Sequence, residues 1–355
     1  MGCNRIERSK RRGSDDHIQR LIAAATTSLV LLSMTPSRAN DQAGVKPDLK
    51  LAFFASGGDN SYQLANIQAA IDTGKHYGAS MQTFAAHWDN AQQLNQIMSA
   101  INSGKYQGFV IEAINPGTVC SSVKAALSKG ISVALTNVQA CDALYDKPYP
   151  GTAAMVGGQS ASVYEEWFKR GFDAHPEGGE FAVLVGPMTQ GNTVRAREVL
   201  KKLEGAYPQW KMVGFEDTGY TAGPALKKTQ DIVQAHPNLK ILFSNYSGQT
   251  PGAIAALKSA GLDSKVKIYD FGGDKAMFAA VDAGTIQETG IFLPYEESVR
   301  GVQAVIAQLS GLTSLEGVKV GEFIDLTKDP KLGGLSPFVS KDNITEYKKL
   351  GLPEY

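Results

Sequence analysis

Polar and aromatic side chains in this chain recur at one kind of place, directly after a short apolar run. SGGDNSY (56–62), HWDN (87–90), INPG (114–117) and TNVQ (136–139) are four such places in the first half. GPMTQGNTVR (186–195), NYSGQ (245–249), DFGGDK (270–275) and FLPYE (292–296) follow in the second. From these loops the candidate ligand-binding residues are Asn60, Tyr62, Trp88, Asp89, Asn137, Arg195, Asn245, Tyr246, Asp270, Asp274 and Phe292. Amides, phenols and rings with few charges suit hydrogen bonding to a small polar molecule and cover for its flat faces.

Reaction motifs are missing from the same loops. There is no G-x-S-x-G elbow and no H-E-x-x-H, and His76, His87, His175 and His236 lack metal-ligand spacing. His87 beside Trp88 reads as packing. SGGDNS sits at a strand-to-helix turn without the G-x-G-x-x-G pattern or a P-loop Lys-Ser/Thr, and DFG (270–272) has no kinase Gly-rich loop or HRD segment. The expectation is a binding protein with no catalytic residues, metal or cofactor. Lys plus Arg and Asp plus Glu balance at 35 each, so no basic field points to nucleic acid.

The elements that position these loops follow from periodicity. Strands are expected at 49–56, 80–86, 108–113, 131–137, 153–158, 180–186, 211–217, 240–245, 266–272 and 286–292. Helices are expected between them at 62–77, 91–103, 116–129, 160–173, 191–206, 222–236, 249–260, 275–283 and 294–309. Near-continuous apolar strands joined by helices mean parallel sheets covered on both faces. The length and the break near GTAAMVGGQS (151–160) favour two doubly wound, Rossmann-like α/β lobes over one ten-stranded sheet. The first lobe is expected at 48–157 plus 293–322 and the second at 158–292 plus 323–355. Two or three crossovers join them, with hinges near Gly157-Gly158, near Phe292–Pro294 and within 320–338. In such sheets ligands sit beyond the carboxyl ends of the strands, where the polar loops lie.

Residues 1–39 carry a net charge of +4, leaving the remainder near −4. Their basic flank precedes LIAAATTSLVLLSM (21–34), which suits the apolar core of a signal peptide and is too short for a membrane span. Ser37 and Ala39 supply the small residues for cleavage before Asn40, so export to the periplasm is expected. Cys3 is lost with that segment. Cys120 falls in the first turn of the helix after the third strand and Cys141 just after the fourth strand. Both points lie at the same sheet edge, so a bridge is geometrically open to them, and in an oxidising compartment it is the expected state. Two separate buried thiols are the alternative.

Several stretches carry a resemblance in the same order. LAFFASGGDNSYQLANIQAAIDTGKHYGA, GFVIEAINPGTVCSSVKAALSKGISVALTN, NLKILFSNYSGQTPGAIAALKSAG and VDAGTIQETGIFLP resemble the periplasmic sugar-binding proteins of the ribose-binding and autoinducer-2-receptor type. These are the exported subunits of ABC importers. The Cys120 and Cys141 pair resembles one in the autoinducer-2-receptor and rhamnose-binding branch. The resemblance implies the type I periplasmic binding protein fold, hinge closure on a sugar-like ligand, and delivery by a monomer to a membrane permease. A sensing subunit for a histidine-kinase receptor or chemoreceptor is the alternative.

The resemblance also implies site roles. Arg195 matches the family's binding arginine, Asn60 a binding Asn, and Tyr62 an aromatic that stacks on the sugar. The chain departs from the ribose pattern at Asn137-Val138, where Asp-Arg is usual, at Tyr246 for Asn, and at Phe292 for Gln. Fewer charge-assisted bonds and more aromatic area point to a ligand poorer in hydroxyls than a pentose, or one with an apolar face. The autoinducer-2 receptors' acidic grip is likewise missing. Each residue also has a structural reading: Asn60 and Asp274 as helix caps, Tyr62 and Phe292 as core, Arg195 as a solvated cation, and Asp270 as lobe packing.

Overall fold

The structure, a computed structural model, describes residues 44–141 and 145–355. The expected signal segment at 1–39 lies outside the described residues. The chain opens with β1 (Lys50–Ala55), α1 (Ser61–His76), β2 (Ser80–Ala85), α2 (Asn90–Ser103), β3 (Gly108–Glu112), α3 (Pro116–Ser128), β4 (Ser132–Thr136) and β5 (Ala154–Gly157). It continues with α4 (Ala161–Asp173), β6 (Gly179–Val185), α5 (Gly191–Leu203), β7 (Trp210–Asp217), α6 (Ala222–Ala235), β8 (Leu239–Ser244), α7 (Thr250–Ser259), β9 (Lys267–Gly272), α8 (Lys275–Asp282), β10 (Glu288–Ile291) and α9 (Pro294–Leu309). These strands and helices are the expected ones, within three residues at either end.

The first sheet has the order β13-β5-β4-β3-β1-β2, where β13 (Glu322–Asp325) arrives late from the far end of the chain. All of its pairs are parallel, and β3 and β4 are buried along their whole length. The second sheet runs β14-β10-β9-β8-β6-β7, with β14 (Phe338–Ser340) antiparallel to β10. Strand order reverses between β1 and β3 in one sheet and between β6 and β8 in the other. These are the switch points beside which such sheets bind ligands.

Helix α9 packs against α1 and over β3, β4 and β5, so the chain has returned to the first lobe before it reaches β13. The hairpin of β11 (Ser314–Leu315) and β12 (Val318–Lys319) links α9 to β13. A boundary expected at 322 falls at the start of β13 instead. Phe323, Ile324 and Asp325 pair with Met155, Val156 and Gly157, so the last crossing comes after Asp325. One exposed and three partly buried residues leave too weak an alternation to read. The closing segment, including α10 (Ile344–Lys349), was equally outside periodicity's reach.

Cys120 and Cys141 form a disulfide with their Cα atoms 4.7 Å apart. The Cys141 amide also donates to Pro116 O at 2.9 Å, so covalent and hydrogen bonds together tie the start of α3 to the loop after β4. Closing a loop of this length stabilises by about 3 kcal/mol. Replacing both cysteines by serine should lower the unfolding free energy by about that amount in denaturant titration. Non-reducing peptide mapping should recover the two cysteines in one linked species; two separate free thiols would contradict the bridge.

Candidate functional site

Helix starts bring the polar loops to the carboxyl edges of both sheets. Asn60 caps α1 by accepting from Gln63 N at 2.9 Å, which sets Tyr62 and Gln63 in the first turn. Asn115 caps α3, and its Nδ2 reaches across to Thr189 O of the second lobe at 2.8 Å. Gln190 caps α5 through Asn192 N and Thr193 N, placing Asn192 over the cleft. Each cap satisfies amides that the helix cannot, so the local reason for these residues is structural first.

Between the lobes lies a cavity of about 40 Å³. That is roughly three times the least a single water needs, which suits a compact molecule. Asn60, Tyr62, Trp88, Asn137, Asn245, Tyr246 and Phe292 line it, together with Gln63, Glu112, Gln159, Gln190, Asn192 and Tyr220. Four expected residues are not among the lining. Asp89 caps α2, accepting from Ala91 N at 2.8 Å and Gln92 N at 2.9 Å. Asp274 caps α8 through Met277 N at 2.8 Å. Asp270 is fully buried, accepting from Ser247 Oγ at 2.9 Å, Thr289 Oγ1 at 2.5 Å and the Thr250 hydroxyl, so it ties β9 to its neighbours.

Arg195 sits behind the lining. Its Nη1 donates to Gln159 O at 2.9 Å and Asn192 Oδ1 at 2.6 Å, while the guanidinium stacks 3.8 Å above the Tyr145 ring. The cation therefore braces two lining residues. Asn137 is engaged on both sides of its amide. Nδ2 donates to the Tyr62 hydroxyl at 2.6 Å, and Oδ1 accepts from Gln159 Nε2 at 3.1 Å and from Asn192 Nδ2 at 2.6 Å. The last of these bonds runs from one lobe to the other.

Tyr62 in turn donates its hydroxyl to Glu297. Burial, then the nearby Glu112, push Glu297 well above the usual carboxylate range. Glu112 is also raised by burial, which the bonds from Ser56 and Gln63 oppose; Gln63 Nε2 donates at 2.8 Å and Ser56 N at 3.4 Å. Burial likewise raises Tyr62, with Glu297 and Glu112 adding to it. The walls are aromatic: Trp88 lies 5.6 Å from Tyr220 across the cleft, and Tyr62 5.7 Å from Phe292. Trp88, Asn137 and Tyr220 hold φ at 63°, 59° and 61°. Asn adopts that left-handed conformation readily, whereas Trp and Tyr rarely do, and such residues concentrate at functional sites.

The lining residues that sequence reasoning missed had a common signal. Glu112 is the one charge within the apolar run GFVIEA, and Gln159 and Tyr220 follow β5 and β7 at the same sheet edges as the loops singled out. Gln190 and Asn192 lay inside GPMTQGNTVR, where Arg195 drew the attention.

A family model described as a periplasmic binding protein domain matches residues 51–313. The D-apiose import binding protein of Actinobacillus succinogenes is 25% identical over 126 residues, covering 36% of this chain and 41% of that protein. The chain thus spans about two fifths of the length of that curated relative. An ABC transporter solute-binding protein from Agrobacterium vitis with bound D-fucose has a TM-score of 0.73 at 21% identity, covering 84% of this chain and 98% of that one. Another, from Mycobacterium smegmatis with bound glycerol, has a TM-score of 0.69 at 22% identity and covers 84% and 96%. Both share the two-lobed fold.

Burial pushes Asp270 up to about 7 from 3.8, against the opposing bonds of Thr250, Thr289 and Ser247. Between those pH values the unfolded chain has released a proton that the folded chain still holds, so stability falls as pH rises. Asp270→Asn should flatten this fall by up to about 1.4 kcal/mol per pH unit, measured by denaturation at pH 4.5 and 7. An unchanged slope would contradict the assignment.

Proposed function

The chain belongs to the periplasmic binding protein family, a family of binding proteins rather than enzymes, and from that premise we propose that it captures a small neutral sugar or sugar-like molecule between its lobes. The observation that carries this reading is the cavity at the carboxyl ends of two parallel sheets, walled by amides and aromatic rings from both. Such walls hold a polar ring by hydrogen bonds and cover its faces, without making or breaking a bond. The sugars and polyols bound by the structural relatives are of the size and chemistry that such walls fit.

In this reading the chain is an exported monomer that works in the periplasm and hands its ligand to an ABC permease. The bridged cysteines suit an oxidising compartment. The lobes are residues 48–157 with 293–325, and 158–292 with 326–355, and they rotate about the crossings near Gly158, near Phe292 and after Asp325. Closure joins Asn137 to Asn192 and excludes water, which strengthens every polar contact inside.

Thermal denaturation against a panel of monosaccharides and polyols tests the proposal. A true ligand at 100 times its dissociation constant should add about 2.7 kcal/mol of stability. Trp88→Ala should weaken binding at least tenfold while leaving the chain folded. Stabilisation by none of the panel, or conversion of a hit into product, would overturn the reading.

A further inference from the structure

Beside the cavity the two lobes meet along a short seam, and one of its members is a glycine. Three residues at or just before the start of α5 face the first lobe there. Thr189 O accepts from Asn115 Nδ2 at 2.8 Å, Asn192 Nδ2 donates to Asn137 Oδ1 at 2.6 Å, and Gly191 lies between them against Val138 and Pro116. A Cβ at Gly191 would stand 2.8 Å from Val138 Cγ1 and 3.3 Å from Pro116 Cγ, the first closer than carbon atoms approach. Nothing about α5 itself asks for glycine. The backbone at Gly191 is not left-handed, and within a helix alanine is the better residue. Nor does Gly191 stand in the cavity lining.

Neither side of this contact can give way locally. Val138 is 1% exposed, its β-branched side chain is stiff about χ1, and it packs in the first-lobe core. The loop that carries it is tied to Pro116 O by the Cys141 amide and to α3 by the Cys120 to Cys141 bridge. On the other side, the two bonds to Gln190 Oε1 fix the first turn of α5, and Ala196, Val199 and Leu200 bury the helix in the second-lobe core. The soft coordinate is therefore rotation of the lobes. Restoring an ordinary carbon to carbon separation moves the seam apart by about 1 Å, which carries the Asn192 to Asn137 bond beyond hydrogen-bonding range.

We propose that Gly191 is a positioning residue for closure: its bare Cα lets α5 seat on Val138 and Pro116, and so sets how often the lobes close without touching the ligand. This rests on the reading that the lobes capture a molecule by closing. Apparent affinity falls in proportion to the closed fraction, so a side chain at this position weakens binding of whatever the cavity holds.

Cross-linking of the full chain tests it without a ligand. Gly117→Cys and Met188→Cys place thiols at exposed positions flanking Asn115 and Thr189, while Cys120 and Cys141 are already bridged. A short bis-maleimide should join the new pair at a rate that follows the closed population, read by peptide mapping of the linked species. Gly191→Ala should slow that rate at least tenfold, and Gly191→Ser, with the same Cβ, should repeat the loss. In a Val138→Ala background, which removes Cγ1, Gly191→Ala should slow it less than twofold. A sugar that stabilises the wild-type chain should bind Gly191→Ala at least tenfold more weakly and recover in the double variant, with circular dichroism reporting the fold. Equal slowing in both backgrounds, no slowing, unchanged affinity, or no cross-link with Gly191 intact would overturn the assignment. Failure of every sugar to stabilise the chain would overturn the capture reading and leave the seam standing, because the cross-link needs no ligand.

Discussion

Asn137, at the end of β4, donates to the Tyr62 hydroxyl and accepts from Asn192 across the cleft, and the shape of the cavity depends on that double engagement. A carboxylate at this position could not donate to Tyr62, and an alanine would strand both partners in a water-poor space. The left-handed backbone at Asn137, with φ at 59°, turns its amide toward both lobes. Arg195 and Gln159 brace the same network from behind, so one amide couples the first sheet, the crossing after β5 and helix α5.

Beneath this network lies an unusual electrostatic floor. Glu112 and Glu297 are buried near one another, and each is pushed upward by its loss of water. They accept hydrogen bonds from Gln63, Ser56 and Tyr62, and of these Gln63 and Tyr62 stand in the cavity's first-lobe wall. The acids thus fix the orientation of Gln63 and of the Tyr62 hydroxyl in that wall. Two hydrogen-bonded acids below a neutral wall fix donor and acceptor directions more firmly than freely rotating amides would.

The lobed architecture was legible because parallel strands buried on both faces read as apolar runs, and helices between them as amphipathic ones. The last crossing was not, since β13 is one exposed and three half-buried residues whose partner strand is more than 160 positions away. Within the site, the edge of the sheet could be read, but the direction of a side chain could not. Asn60 is both a cap and a lining residue, whereas Asp274 and Asp89 cap helices outside the lining of that cavity. Arg195 was placed near the site by its loop and family likeness; its guanidinium stacks on the Tyr145 ring and donates to the lining residues Gln159 and Asn192. Glu112 went unread because a single charge inside an apolar strand looks like an exception until its partners are seen.

Of the chain's three tryptophans, Trp167 and Trp210 are buried in the core of the second lobe, and Trp88 lines the cavity. Tryptophan fluorescence during a titration with neutral monosaccharides therefore reads occupancy of the cavity directly. The account predicts a saturable change that disappears in Trp88→Phe. A saturable change that persists unaltered in that variant would put the ligand elsewhere and contradict the account.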